Sequence, residues 1–420
     1  MLTILASAGA AVLSAAPAPS GDTIKQRPVY ALIDCGELPG GPDHSEAVGL
    51  NNDGTLIGWS WAEGDVRRAF RWSLTGGIEE LPAPAGVTSH ATAIVENGNI
   101  YGWHKASLGG QAVRWQGGTL LTPIDDLQGG YPHAWISGVN DAGGMVGVSI
   151  RGDGHRGFVG NDSAMKPIPV LKGPVVPRDI NNEGVIVGSA ARDGGWRPAI
   201  ISIEGSAIAL EPPADADLDG TGRAVAIGSR GHIAGRLIDR AGRPVPVLWH
   251  PAGVASILGR GDSGIAAHET RTFGAAADVD ARGNAVGWRF DKNGTRGVAW
   301  LTGIGEVELT SGSDEDHDAW VVYEAVAINE QGWIAANARE AGGPVRAVLL
   351  IPPSAATDLD GSGGPPDGRD FLAWLDLWKA GSPRADLAGR NDGRVATPDG
   401  ILDGRDFLHA IELWSDLPAR

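Results

Sequence analysis

The sequence predicts an all-β fold, a seven-bladed β-propeller of four-stranded blades, with a small α-helical module behind it. Three observations carry this. Seven segments repeat one pattern, and their central glycines, Gly54, Gly98, Gly143, Gly184, Gly231, Gly283 and Gly332, are spaced by 41 to 52 residues, the period of a repeat architecture. Gly is abundant at 64 residues while charged residues make up only 20%, which suits tight turns between short strands better than long helices. Trp, at 15 residues against 4 Tyr, must have a repeated structural task.

The chain opens with Met1 to Ser20, an apolar stretch of about 14 residues running into small residues and Pro, the shape of a secretory signal cleaved near Ala16 or Ala18. The positively charged start of such a signal is missing. The stretch is too short to span a bilayer, and no second apolar run follows, so no transmembrane span is expected. With one cysteine, Cys35, no intrachain disulfide forms. Placed on a strand expected to be buried, without a local His or Lys, it reads as an inert thiol. Net charge is −17. No basic stripe suggests nucleic acid or an anionic membrane as partner; the acidic balance suits solubility and cation binding.

Each repeat has the same internal logic. In "AVGLNNDGTLIGW" from Ala47, an apolar-alternating strand enters the turn Asn52-Asp53-Gly54, where Gly takes positive φ. A second strand, "TLIGWSW", leads to a third, "RAFRWSL" from Arg68, and a fourth, "IEELP", follows Gly76-Gly77. Four short strands per period of roughly 45 residues make one propeller blade. The last repeat stops after its third strand, at Ile351, and the first is preceded by a lone strand, "VYALIDCGEL" from Val29. If that strand completes the seventh blade, the ring closes with no free edge. Six or eight blades, or an open solenoid, are the alternatives. The propeller is placed at 29–352.

The pattern A-x-x-[IN]-N-x-x-G-x-[IV]-x-G-[WS], followed by [AG]-[FV]-x-W, resembles the HAF repeats of bacterial extracellular proteins, named for a His-Ala-Phe triplet in the third strand. Here Ala69-Phe70 is kept and Arg68 stands in the His position. The resemblance implies export and a repeat fold, and no particular reaction.

Behind the propeller, the hexamer DGRDFL occurs twice, at Asp367 to Leu372 and at Asp403 to Leu408. Each copy ends an acidic loop with the oxygen pattern of an EF-hand-type Ca²⁺ site, whose ligands fall at positions 1, 3, 5, 7, 9 and 12 around a Gly at 6. The first loop offers Asp358, Asp360, Ser362 and the carbonyl of Gly364, with Asp367 and Asp370 closing a loop that is one residue long. The second matches at its back half, with Asp399, the carbonyl of Ile401, Asp403 and Asp406; Asp386, across an insertion, is a candidate first ligand, as are Asn391 and Asp392. After each loop an apolar face recurs at helical spacing: Phe371, Trp374, Leu375 and Trp378, then Phe407, Ala410, Ile411 and Trp414. Two such loop–helix units, over 356–417, resemble a dockerin module. The resemblance implies Ca²⁺-dependent folding and attachment to a cohesin-like or cell-surface protein partner; two metal sites would staple a domain too small to hold a core alone.

Other motifs weigh less. "DADLDGTG" from Asp215 copies the front of a Ca²⁺ loop, but Ala226 occupies its closing position, so a solvated inter-blade turn is the stronger reading. The RGD tripeptides at Arg151 and Arg260 and the "GDSG" at Gly261 sit in turn-rich stretches and read as chance. No HExxH or helical His pair occurs among the 10 His residues. His44, His90 and His133 precede repeats and read as loop residues. The sequons at Asn161 and Asn293 matter only in a glycosylating host. Trp59, Trp72, Trp103, Trp115, Trp288 and Trp300 recur once per blade and read as inter-blade packing rather than as a sugar-stacking face.

These readings predict a secreted, non-enzymatic binding or scaffold protein, attached to a surface or complex through its tail, with a glycan or protein ligand where propeller loops converge at a rim. The alternative is an extracellular polysaccharide-degrading enzyme, which needs two carboxylates at one mouth; Glu63, Asp65, Asp125 and Asp126 are examples of loop acids that sequence cannot bring together. A surface-layer component is a third reading.

Overall fold

The structure, a computed structural model, describes residues 30–352 apart from 107–108, 118, 121–122, 125–133, 152–153, 171–172, 193, 215, 217, 260–272, 293, 310–319 and 341. Of the tail it describes Leu375, Trp378 and Lys379, which are helical. The calcium-loop candidates Asp358, Asp360, Ser362, Gly364, Asp367, Asp370, Asp386, Asp399, Ile401, Asp403 and Asp406 lie outside the described residues.

Seven four-stranded antiparallel sheets form a closed ring. Blade 1 comprises Ser45–Leu50, Leu56–Ala62, Val66–Ser73 and Gly77–Glu80. Blade 2 begins at Ser89–Ile94, blade 3 at Ala134–Val139, blade 4 at Val175–Ile180, blade 5 at Leu218–Ile227, blade 6 at Phe273–Val279 and blade 7 at Val321–Ile328. These first strands contact one another in turn around the axis, from blade 1 through blade 7 and back. Blade 7 takes its outermost strand, Ala31–Asp34, from the start of the chain, where Ala31 pairs with Ile351 and Asp34 with Val348. The lone N-terminal strand therefore closes the ring, as its sequence position suggested. Cys35, at its end, is buried, and burial followed by the charge of Asp34 pushes its thiol well up. Among the described residues no helix is long and apolar enough to cross a membrane.

The motif's Asn and Gly have separate tasks at the turn between first and second strands. The Asn51 carboxamide oxygen accepts the amide of Thr55 at 2.8 Å, and Asn140, Asn181 and Asn329 accept from Gly144, Val185 and Trp333 in the same four-residue span. Asp280 does likewise for Asn284. These side chains are buried, so each turn keeps its polar groups satisfied out of water. The glycine that follows has φ near +80° in every blade, for example 78° at Gly54 and 82° at Gly283. Side chains of neighbouring turns then link around this face. Asn329 donates to the Asn51 carbonyl, Glu330 N to Asn52, Asn52 N to Glu96, Glu96 N to Asp141, and Asp141 N to Asn182.

A second glycine governs the packing of first and second strands. A Cβ on Gly58, Gly102, Gly147, Gly188, Gly235 or Gly287 would stand 2.0 to 2.2 Å from the carbonyl oxygen of the residue before its pairing partner. That residue precedes a register shift which recurs in all seven first strands, such as Ala47/Gly49 and Ala276/Asp278. Blade 7 has Ala336 at the glycine's place and a second shift, Val322/Glu324, beside the first; blade 5, which keeps Gly235, also has a second shift, Leu218/Gly222. In two blades the residue after the bulge is an aspartate that straps to the next first strand. Asp179 accepts from Ile227 N and Asp278 from Ile328 N, both at 2.8 Å, and burial raises their carboxyls to about 6 and about 7.

The core lies between blades. Trp72, Trp115, Trp249 and Trp300 on the third strands are all buried. Three of their indole N–H groups find acceptors nearby: Trp115 donates to the Pro82 carbonyl, Trp249 to the Glu211 carbonyl and Trp300 to the Glu306 carboxylate. Third-strand Trp residues thus pack between blades as expected. Replacing Gly287 by Ala forces a methyl into the Ala275 carbonyl and is expected to cost about 3 kcal/mol of stability, against about 1 kcal/mol for Gly98→Ala, where only positive φ is opposed. Denaturant melts of the two variants check this; equal losses would contradict it.

Candidate functional site

One register step beyond that glycine, toward the face that carries the inter-blade connections, the seven blades stop resembling one another. The paired residues there are Glu46 with Trp59, His90 with Trp103, Trp135 with Val148, Val176 with Ser189, Arg223 with Arg236, Ala275 with Trp288 and Glu324 with Asn337. The step beneath is Gly or Ala on the second strand of every blade. The ring therefore has a uniform structural level and, directly above it, a level of mixed chemistry. That upper level is the candidate site.

Blades 1 to 3 supply an aromatic array. His44 stacks on Trp59 with ring centroids 5.0 Å apart and planes at 26°; Trp59 meets His90 at 5.7 Å, and His90 stacks on Trp103 at 4.6 Å and 14°. Trp61 meets Trp59 edge-on at 6.1 Å. A Cβ on Gly110 would lie 3.1 Å from Trp135 Nε1 and 3.5 Å from Trp103 Cε3, so that glycine lets the third blade's indole close up to the second's. The exposed Arg67 places its guanidinium 4.4 Å from the Trp59 centroid and 4.9 Å from that of Trp61, a cation held over two π faces. Trp59 is almost buried, whereas Trp61, Trp103, Trp135, His44 and His90 are half-buried.

The array is edged by carboxylates. His44 Nε2 lies 2.9 Å from Glu46 Oε1. Burial, and behind it the nearby Glu46 carboxylate, hold Glu324 above its ordinary range, opposed by its hydrogen bond with Asn337. Asn337 also accepts the Ala47 amide at 2.8 Å, so blades 7 and 1 meet through a carboxamide flanked by two acids. Tyr323 beside them has its hydroxyl pushed up by burial and then by Glu46 and Glu324.

Second-strand Trp59 packs between blades, against His90 of blade 2, and both Trp59 and Trp103 stack on histidines at the rim level. His90 is likewise a strand residue, not a loop residue; His133 lies outside the described residues. Glu63 and Asp65 stay apart from Glu46 and Glu324, on the exposed turn between second and third strands of blade 1, and Asp125 and Asp126 are not described. Asp219 is bound within its own turn, accepting from Thr221 N and Oγ1. Among the described residues no group of three or more His, Cys, Asp or Glu is placed to hold a metal ion. Sequence reasoning missed Glu46, Glu324, Arg223 and Arg236. The signal for them was variation at a fixed offset from the second glycine, which repeat alignment discards as noise.

No family model matches this sequence, and no curated protein matches it. Solved structures similar to it include virginiamycin B lyase from Staphylococcus aureus, at 12% identity and TM-score 0.46, over 77% of this chain and 100% of that one. A puromycin-hydrolyzing peptidase of Mycobacterium tuberculosis is 17% identical with TM-score 0.46, over 66% of this chain and 45% of that one. A TolB-type protein of Agrobacterium tumefaciens is 17% identical with TM-score 0.40, over 51% and 80%. Likeness at this level says nothing of ligand or reaction.

Burial first, and then the charge of Arg67, lower the His90 pKa from 6.5 to about 4. Between those values the unfolded chain takes up a proton that the folded ring refuses. The stability associated with neutral His90 is therefore full above about pH 6.5 and lost as pH falls toward 4. Denaturant melts at pH 7 and pH 4.5 are expected to show a smaller acid loss for His90→Phe than for the natural protein; the same loss in both would refute the assignment.

Proposed function

We propose that this is an exported, non-enzymatic binding protein that holds a glycan on the upper rim of its propeller and is attached to a surface or complex through its C-terminal module. The observation that carries the reading is the His44–Trp59–His90–Trp103 array. Half-buried aromatic rings set around the buried Trp59, with the Arg67 guanidinium over it and carboxylates beside them, suit the apolar faces and hydroxyl edges of sugar rings. Export is supported by the N-terminal sequence pattern. Attachment is supported by the repeated acidic loops of the tail, where Ca²⁺ would be held by Asp358, Asp360, Ser362, Gly364, Asp367 and Asp370 in the first loop. Asp386, Asp399, Ile401, Asp403 and Asp406 would hold it in the second, with a cohesin-like or cell-surface protein as partner.

A second reading, an extracellular polysaccharide-degrading enzyme, is favoured by one observation: Glu46 and Glu324 meet at the rim, and Glu324 is held toward its protonated form. A carboxyl held toward its protonated form beside a second carboxylate is the arrangement that glycoside hydrolysis uses.

Retention of the full chain on a panel of polysaccharides, with new reducing ends counted in the same samples, tests both. Retention without turnover, weakened about tenfold by Trp103→Ala or Trp135→Ala, is the expected result. Turnover that Glu324→Gln abolishes would replace it with the enzymatic reading, and no retention at all would sink both. For the tail, calorimetry of the full chain is expected to show a transition that Ca²⁺ raises and a chelator lowers, and that stops responding in Asp370→Ala/Asp406→Ala. A transition indifferent to Ca²⁺ in the natural protein would remove the metal from the account.

A further inference from the structure

Blade 5 is the cationic part of the rim, and an arginine of blade 4 bears on it from the bulge one step below. Arg223 and Arg236 are paired across the first two strands of blade 5, at the level where blades 1 and 2 carry Glu46–Trp59 and His90–Trp103. Arg178 stands at the bulge of blade 4's first strand, between Pro177 and Asp179. Blade 4 itself offers only Val176 and Ser189 at the upper level.

Several enclosed arginines elsewhere in the ring are matched to acids, while Arg192 and Arg197 donate to the carbonyls of Ala207 and Asp219. Arg68 pairs with Glu80, Arg114 with Asp162, Arg289 with Glu306 and Glu308, and Arg346 with Glu37. Arg178, Arg223 and Arg236 have no carboxylate partner among the described residues. Asp179, adjacent in sequence, is committed to the amides of Ile180 and Ile227. Nε of Arg178 is buried without an acceptor. The three charges bear on one another. Arg178 is held below its usual range by burial and then by Arg223, and Arg236 by burial and then by Arg223 and Arg178. In a chain with 51 acidic and 34 basic residues, three neighbouring guanidiniums left without a counter-charge oppose folding. They become favourable when an oxyanion enters, because the planar fork binds carboxylate and sulfate through paired charge-assisted hydrogen bonds.

We propose that Arg178, Arg223 and Arg236 form an anion subsite, and that the rim takes an acidic glycan whose carboxylate or sulfate group sits there while its sugar rings lie on the aromatic array. This rests on the glycan-binding reading and specifies its ligand class. Carboxylate and sulfate present the same oxygen geometry, and matched polymers separate them.

The test measures affinity of the full chain for polygalacturonate against the same polymer fully methyl-esterified, and for dextran sulfate against dextran. At least one charged polymer is expected to bind about tenfold or more tightly than its neutral match, the worth of a charge-assisted contact, with the preference shrinking in high salt. Arg178→Gln/Arg223→Gln is expected to abolish the preference and leave affinity for the neutral polymer unchanged. Should that variant melt early, Arg223→Gln alone, at an exposed position, is expected to reduce the preference without changing the melting temperature. A preference that survives in the variants overturns the subsite. Equal binding of charged and neutral polymers, lost in Trp103→Ala, overturns the subsite and leaves the glycan reading standing. Failure to bind any of the four polymers overturns this inference, and the wider polysaccharide panel then decides the glycan reading separately.

Discussion

The close approach of a second-strand glycine to a first-strand carbonyl is the contact on which the ring depends. It lets first and second strands nest at the bulge, and the bulge brings each first strand beside its neighbours around the axis. A methyl group between them would stand within about 2 Å of the carbonyl oxygen, so the paired strands would have to move apart. The buried Asn or Asp of the turn and the left-handed glycine that follows it secure the lower end of the same strand pair. Everything above this level is free of that constraint. Backbone geometry there is already settled, so the side chains at 46, 90, 135, 176, 223, 275 and 324 differ without cost to the architecture.

That division explains how one repeat unit yields a chemically uneven rim. Six near-identical glycine contacts support aromatic residues in blades 1 to 3, paired arginines in blade 5, and acids where blade 7 meets blade 1. The Trp residues divide along the same line. Those on third strands are enclosed, and Trp115, Trp249 and Trp300 are hydrogen-bonded to a neighbouring segment, while Trp59 and Trp103 on second strands join histidines at the rim. A residue type that looks uniform in composition serves packing at one height of the blade and recognition at another.

Most of the architecture was legible in the sequence because it is periodic. The Asn-x-x-Gly turns, the alternating strands and the half-filled last repeat gave seven blades and their closure through Ala31–Asp34. The rim was not legible, for the opposite reason. His90 contacts Trp59 of the preceding blade, and Glu324 and Glu46 are far apart in the chain; these meetings follow from the ring's curvature, which no local pattern encodes. Arg178, Arg223 and Arg236 were hidden further by the strongly acidic average composition. In the tail the situation is reversed. There the proposed Ca²⁺ ligands Asp358, Asp360 and Asp370 rest on spacing along the chain alone, because they lie outside the described residues.

Closing the seventh blade with Ala31–Asp34 has a consequence for how the molecule comes into being. The first strand of the ring finds its partner only when Arg346–Ile351 has emerged, more than three hundred residues later. Until then six blades stack with two open flanks, and the earliest segment made is the last one seated. Loop closure over such a span is slow, and during that interval the unpaired edge of blade 7 is open to any strand that reaches it first. The ring is thus latched by its most non-local strand pairing, between Ala31–Asp34 and Arg346–Ile351.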